Sequence, residues 1–136
     1  MTKILVVEDE EILLTAVSEE LKQEGFDVVG AKDGQEGVEK AGTEKPDLIL
    51  LDLVMPRMDG ITALKLLKEN PATQTIPVVI LTNLSDYDKV SDALALGAMD
   101  YLVKANYRLE ELVNKIKTVL ERQAGTIPQT STPPQV

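Results

Sequence analysis

The chain has 136 residues, 43% of them apolar, a formal net charge of −9, one phenylalanine and no tryptophan, histidine or cysteine. That is room for one domain with an aliphatic core, and it excludes disulfides, thiolate chemistry, sulfur-ligated metals and any histidine-borne catalysis or phosphohistidine on the chain itself. The acidic balance, with no basic run, argues against direct nucleic-acid binding and against an anionic membrane surface. Clustered carboxylates instead invite a hard cation.

The opening "MTKILVVEDEE" lacks the apolar h-region of a secretory signal, and no apolar run approaches the roughly 18 residues of a membrane span. A cytoplasmic setting is expected. "KILVV" (Lys3–Val7) is too short for a helix and predicts a strand. "EEILLTAVSEELKQEG" carries helical spacing at Leu14, Val17 and Leu21, with Gly25 as a natural stop. "DVVGA" (Asp27–Ala31) predicts a second strand, and "DGQEGVEKAG" a weaker helix that Gly37 destabilises. "DLILLD" (Asp47–Asp52) is a strand apolar on both faces, followed by the helix "GITALKLLKEN", which Asn70-Pro71 ends. "PVVILT" (Pro77–Thr82) is a second doubly apolar strand. "DYDKVSDALALG" predicts a helix with Val90, Ala93 and Leu94 on one side and Ser85 as its cap. "DYLVK" (Asp100–Lys104) is the fifth strand. "RLEELVNKIKTVLERQ" shows the clearest amphipathic stripe, through Leu109, Leu112, Val113, Ile116, Val119 and Leu120. Residues 123–136, rich in Pro, Thr and Gln, read as a disordered tail or a linker after a domain spanning 1–122.

Five strand-then-helix units predict an α/β fold, a doubly wound parallel sheet with helices on both faces. Strands buried on both faces lose the period-2 alternation, which accounts for "LILL" and "VVIL". Right-handed crossovers bring the carboxyl ends of all strands to one edge, where ligands bind in such sheets. The residues at or just after those ends are polar: Glu8 and Asp9, then Asp52, Thr82 and Lys104. Singly, each has an ordinary explanation as a cap, a turn former or a solvated side chain, and Asp59-Gly60 reads as turn and helix-start chemistry alone. Together they form a set. Three carboxylates in one place repel one another, and a divalent cation relieves this. An all-oxygen donor set suits Mg²⁺. With Lys104 to hold an anionic oxygen and Thr82 to donate a hydroxyl, Asp52 becomes a candidate nucleophile for a phosphoryl group. Pro56 lacks an N–H and ends the strand, so the chain is expected to turn away and leave Asp52 exposed.

At "VVEDE", "LLDLVMPRMDG", "ILTNLS" and "DYLVKA" the chain resembles the receiver domain of two-component response regulators, such as the single-domain chemotaxis regulator, over about residues 3–122. The resemblance implies a flavodoxin-like (βα)5 fold with strand order 2-1-3-4-5. It implies Asp52 as phosphoacceptor and Mg²⁺ held by Asp9, Asp52, the Val54 carbonyl and, through water, Glu8. Lys104 would contact the phosphoryl group. Thr82 and Tyr101 would form the switch, and the fourth helix, fifth strand and fifth helix the output face. A histidine kinase or histidine phosphotransfer protein would be the donor. The receiver of the signal would be a downstream protein or an attached effector domain, with room for a phosphorylation-linked homodimer. Such a module is not an enzyme beyond catalysing its own phosphorylation and dephosphorylation.

Three positions depart from the family pattern. The acid pair is Glu8-Asp9 rather than Asp-Asp. Ala105 replaces the usual proline after the lysine, so a trans Lys104–Ala105 bond and a different loop are expected. Val54 and Leu84, each two residues beyond a site residue, are both apolar; they are expected to restrict an attacking water and lengthen the phosphoryl lifetime. Two other functions fit the residues less well. A Mg²⁺-dependent phosphohydrolase with an Asp nucleophile needs a second acid at Val54 and a cap domain. A receiver-like scaffold that works without phosphorylation has no need of all of Glu8, Asp9, Asp52, Thr82 and Lys104.

Overall fold

Apolar runs of four or five residues become strands and the amphipathic stretches between them become helices. The order is β1 (Lys3–Val7), α1 (Glu11–Gln23), β2 (Asp27–Ala31), α2 (Gly34–Glu44), β3 (Leu48–Asp52), α3 (Gly60–Glu69), β4 (Val78–Thr82), α4 (Lys89–Ala95), β5 (Asp100–Val103) and α5 (Leu109–Ala124). The computed structural model describes residues 1–83, 86, 88–104 and 108–124. Ser85, Leu84, the Lys104–Ala105 bond and residues 125–136 lie outside the described residues, together with the expectations placed on them; the first two residues of the expected tail, 123 and 124, instead continue the last turn of α5. Among the described residues no helix is long and apolar enough to cross a membrane.

All strand pairs are parallel, as the alternating units predict, and their order β2-β1-β3-β4-β5 is the flavodoxin-like one that the resemblance implies. Alternation along the strands divides the core in two. Ile4, Val6, Leu48, Leu50, Val79 and Leu81 meet Val17 and Leu21 of α1 and Leu112, Val113, Ile116 and Val119 of α5. Leu5, Val7, Ile49, Leu51, Val78 and Ile80 meet Ala41, Ala63, Leu64, Leu67 and Ala93 of the other three helices. Nearly every strand residue is therefore apolar, since each face is covered.

Local chemistry sets the helix ends. Asp33 caps α2 by accepting from the Glu36 N–H at 2.8 Å, and Asp59 caps α3 by accepting from Thr62 N–H at 2.8 Å. Gly25, after α1, has φ of 95°, a conformation that favours glycine. The fourth helix differs from expectation. It starts at Lys89, and its N-cap Asp88 makes no side-chain cap bond. Leu94 is 42% exposed rather than buried beside Val90 and Ala93. The packed face is centred on Ala93, with partly buried Leu96 on one flank and Val90 on the other, and Leu94 sits about 100° round the helix from that centre.

Gly37 has a packing role that its helix propensity hides. A Cβ there would lie 2.8 and 2.9 Å from the two Cγ atoms of Val7, so α2 is pressed directly onto β1. Gly37→Ala gains about 1 kcal/mol in helix propensity but forces a stiff β-branched neighbour to move, an overpacking cost of about 1–3 kcal/mol. Steric cost is expected to win, and urea unfolding should show a net loss of stability. A gain would contradict the packing argument.

Candidate metal and phosphoacceptor site

Register builds the site. Val7 pairs with Leu51, so the next residues, Glu8 and Asp52, leave the sheet side by side at the point where strand order reverses. Glu8 keeps one more sheet-like contact, its N–H donating to the Ala31 carbonyl at 3.0 Å. Carboxylate oxygens of Glu8, Asp9 and Asp52 lie within 4.8 Å of one another. Glu8 and Asp52 are buried, at 1% exposure each, and Asp9 is exposed. The expectation that Pro56 leaves Asp52 open is thus corrected. The chain does leave the sheet after Asp52, but the carboxylate is buried, with the Lys104 ammonium in contact with it.

Lys104 follows β5, whose Val103 pairs with Thr82. Its Nζ lies 3.0 Å from Asp52 Oδ2, 3.0 Å from Glu8 Oε1 and 3.2 Å from Glu10 Oε1. The ammonium aims its N–H groups at Glu8 Oε2 (3.3 Å) and at Glu10. Glu8 Oε1 and Asp52 Oδ2, both buried, are left with no aligned hydrogen-bond donor among the described residues. Asp52 Oδ1 accepts a long bond, 3.3 Å, from the Val54 N–H, and Glu8 Oε2 also accepts from the Glu10 N–H at 2.9 Å.

One ammonium faces three carboxylates, and the titration behaviour follows. Burial pushes Asp52 up to about 7; the Glu8 charge adds to this and Lys104 opposes it. Burial also raises Glu8, against the lowering effect of the Glu10 N–H and Lys104. Lys104 loses by burial but gains more from Asp52 and Glu8, so it is held charged well above the usual range. An all-oxygen donor set in which two buried oxygens share one ammonium with no aligned donor fits a hard divalent cation. Glu8, Asp9 and Asp52 are the residues that would hold it.

The structure thus brings together Glu8, Asp9, Asp52 and Lys104. Val54, two residues after Asp52, is 43% exposed. Thr82 is fully buried at the end of β4 and its hydroxyl donates to the Asn83 carbonyl at 3.1 Å. Tyr101 stands half-buried on β5, with Lys115 Nζ 6.0 Å from its ring centroid. Lys115 also donates to Asp100 Oδ1 (3.1 Å) and the Tyr101 carbonyl (3.3 Å). Sequence reasoning missed Glu10, read only as the start of a helix. Its position next to the acid pair, on the turn that faces Lys104, was the available signal.

The response regulator receiver domain model matches residues 4–117. The chain belongs to that family. It is the receiver domain of the response regulators of two-component systems. Among curated relatives, this chain is 45% identical over 124 residues to the response regulator ArlR of Staphylococcus saprophyticus, covering 90% of this chain and 54% of that protein. It is 41% identical over 127 residues to the alkaline phosphatase synthesis transcriptional regulatory protein PhoP of Bacillus subtilis, covering 93% and 51%. The chain therefore spans about half the length of these curated relatives. Among solved structures, the chemotaxis protein CheY4 of Vibrio cholerae aligns with a TM-score of 0.81 at 31% identity, covering 88% of this chain and 98% of that one. A response regulator receiver domain protein from Clostridium thermocellum aligns with a TM-score of 0.83 at 28% identity, covering 93% and 100%.

The buried Asp52 gives this receiver domain a pH signature. Its folded-state pKa of about 7 lies above the ordinary 3.8, so between those values the native state holds a proton that the unfolded chain has lost. The stability it contributes is complete below about pH 4 and lost as pH rises through about 7. In metal-free buffer, Asp52→Asn should be more stable than the parent at pH 8, with the margin shrinking toward pH 5. Urea melts at the two pH values test this, and a margin independent of pH would contradict it.

Proposed function

We propose that the chain is a phosphoacceptor switch, with Asp52 as the phosphorylated residue. The observation that carries this is the buried Asp52 carboxylate, with one oxygen poorly satisfied, set between a lysine and two further acids. Glu8, Asp9 and Asp52, with the Val54 carbonyl, would hold Mg²⁺. When bound, the ion offsets the charge of the carboxylates and of the transferring group.

Asp52 supplies the nucleophile: one of its oxygens forms the bond to phosphorus as the bond to the donor's nitrogen or oxygen breaks. Lys104 must then exchange one carboxylate for a phosphoryl oxygen. Of its contacts, Glu10 is the most exposed and so the least costly to release. The donor histidine would come from a histidine kinase or phosphotransfer protein; these 136 residues contain none. The new group adds about −1.5 to −2 charge at the sheet edge and biases two pre-existing conformations. Thr82 would turn from Asn83 toward the phosphoryl group. Tyr101 would follow, and the face formed by α4, β5 and α5 would carry the signal to a downstream protein or an attached effector domain. The folded signalling unit, expected over 1–122, would extend to the end of α5 at residue 124, in the cytoplasm.

Incubation with Mg²⁺ and a small acyl phosphate, followed by intact-protein mass measurement, tests the reading. One phosphoryl increment is expected, absent in Asp52→Asn and with chelator. After donor removal, the increment should decay faster in Val54→Asn, where a polar side chain admits water to the site. No increment under any donor would overturn the reading in favour of a scaffold that works unmodified.

A further inference from the structure

The loop from Asp52 to Gly60 contains a strained turn. The Met58 N–H donates to the Pro56 carbonyl at 2.7 Å, closing a three-residue turn, and Arg57 at its centre has φ of 65°. A γ-turn with positive φ is rare and strained, and it persists only where the surroundings over-determine it. Here they do. Arg57 Nε and Nη2 both reach one oxygen, Asp33 Oδ2, at 2.8 and 2.6 Å, while Asp33 Oδ1 caps α2. Asp33 is buried and Arg57 lies largely in solvent. Beside this pair, a Cβ on Gly34 would come within 2.3 Å of the Met58 carbonyl oxygen, so the start of α2 and the loop touch backbone to backbone.

These contacts complete a ring around the carboxylates. The Val54 N–H ties the loop to Asp52 Oδ1, and the Glu8 N–H ties the acid pair to Ala31, two residues before Asp33. Neither Arg57 nor Asp33 belongs to the carboxylate cluster; both act through the backbone that carries it. A pair with so exposed a partner contributes little to global stability, yet it holds a strained turn. We propose that the Arg57–Asp33 ion pair is a positioning clamp for the cation site, fixing the Asp52-bearing loop against the Glu8-Asp9 pair. The inference rests on the Mg²⁺ reading above.

A pair of variants separates a clamp from a simple field effect. Arg57→Gly removes the anchor while suiting the positive φ, and Asp33→Asn removes the charge while keeping a good N-cap. As a field effect, losing the cation would tighten Mg²⁺ binding and losing the acid would weaken it; the double variant, unchanged in net charge, would match the parent. A clamp predicts that each single variant and the double variant all bind Mg²⁺ about tenfold more weakly, with the double no weaker than either single. Calorimetric titration of Mg²⁺ into the phosphate-free protein reads this, with metal-free thermal melts confirming that each variant is folded. Opposite signs for the two single variants would overturn the clamp. So would unchanged affinities with lowered melting temperatures, which mark a purely structural pair. A parent protein that takes up no Mg²⁺ would overturn the cation reading itself and the clamp with it.

Discussion

Two buried carboxylates and a third at the surface share one lysine, and most of the local structure follows from that imbalance. In water, Asp52 and Glu8 would ionise freely. At the sheet edge they are desolvated and repel each other, and the Lys104 ammonium can align its N–H groups with only some of the oxygens around it. The protein therefore carries a destabilised cluster at neutral pH. Such clusters mark functional sites more often than structural ones, because packing apolar residues in the same space would be more stable.

The fold keeps the cluster from relaxing. Parallel pairing fixes Glu8 beside Asp52 to within a residue, and a one-residue slip would turn the apolar sets of β1 and β3 to the wrong faces. Close backbone approaches then remove the remaining freedom. Gly37 brings α2 onto Val7, just before the acid pair. Gly60 brings the start of α3 to where a Cβ would be 2.3 Å from the Asp52 carbonyl. The Gly60 N–H also donates to the Leu53 carbonyl at 2.8 Å, closing the loop at its far end. Both ends of the Asp52 loop are thus tied to the sheet or to α3, and its middle to α2.

Much of this was legible in the sequence. Doubly apolar runs such as Ile49–Leu51 identify buried parallel strands, and a polar residue closing each run marks the carboxyl edge. Strand ends therefore mark Glu8, Asp9, Asp52 and Lys104, the four residues that the fold brings together. What stayed hidden depends on tertiary approach. The burial of Asp52 could not be read, because it depends on chain brought in from elsewhere, Gly60 against its backbone and Lys104, 52 residues later, at its carboxylate. The outward turn of Leu94 reflects which face of α4 meets the sheet, and its spacing from Val90 pointed the other way. Arg57 and Asp33, 24 residues apart, carry no local pattern that pairs them. Gly37 read as a defect of helix propensity, although it marks a contact with Val7.

The most direct test of the account is the unfolding midpoint as a function of Mg²⁺ at pH 7.5, for the parent and for Asp9→Asn. Asp9 is exposed, so its loss should leave the metal-free midpoint nearly unchanged. A cation that binds only the native cluster should raise the parent's midpoint progressively with concentration. That rise should be largely lost in Asp9→Asn. A parent midpoint indifferent to Mg²⁺, or an equal rise in Asp9→Asn, would contradict the claim that the shared negative charge of this cluster is the place of a divalent cation.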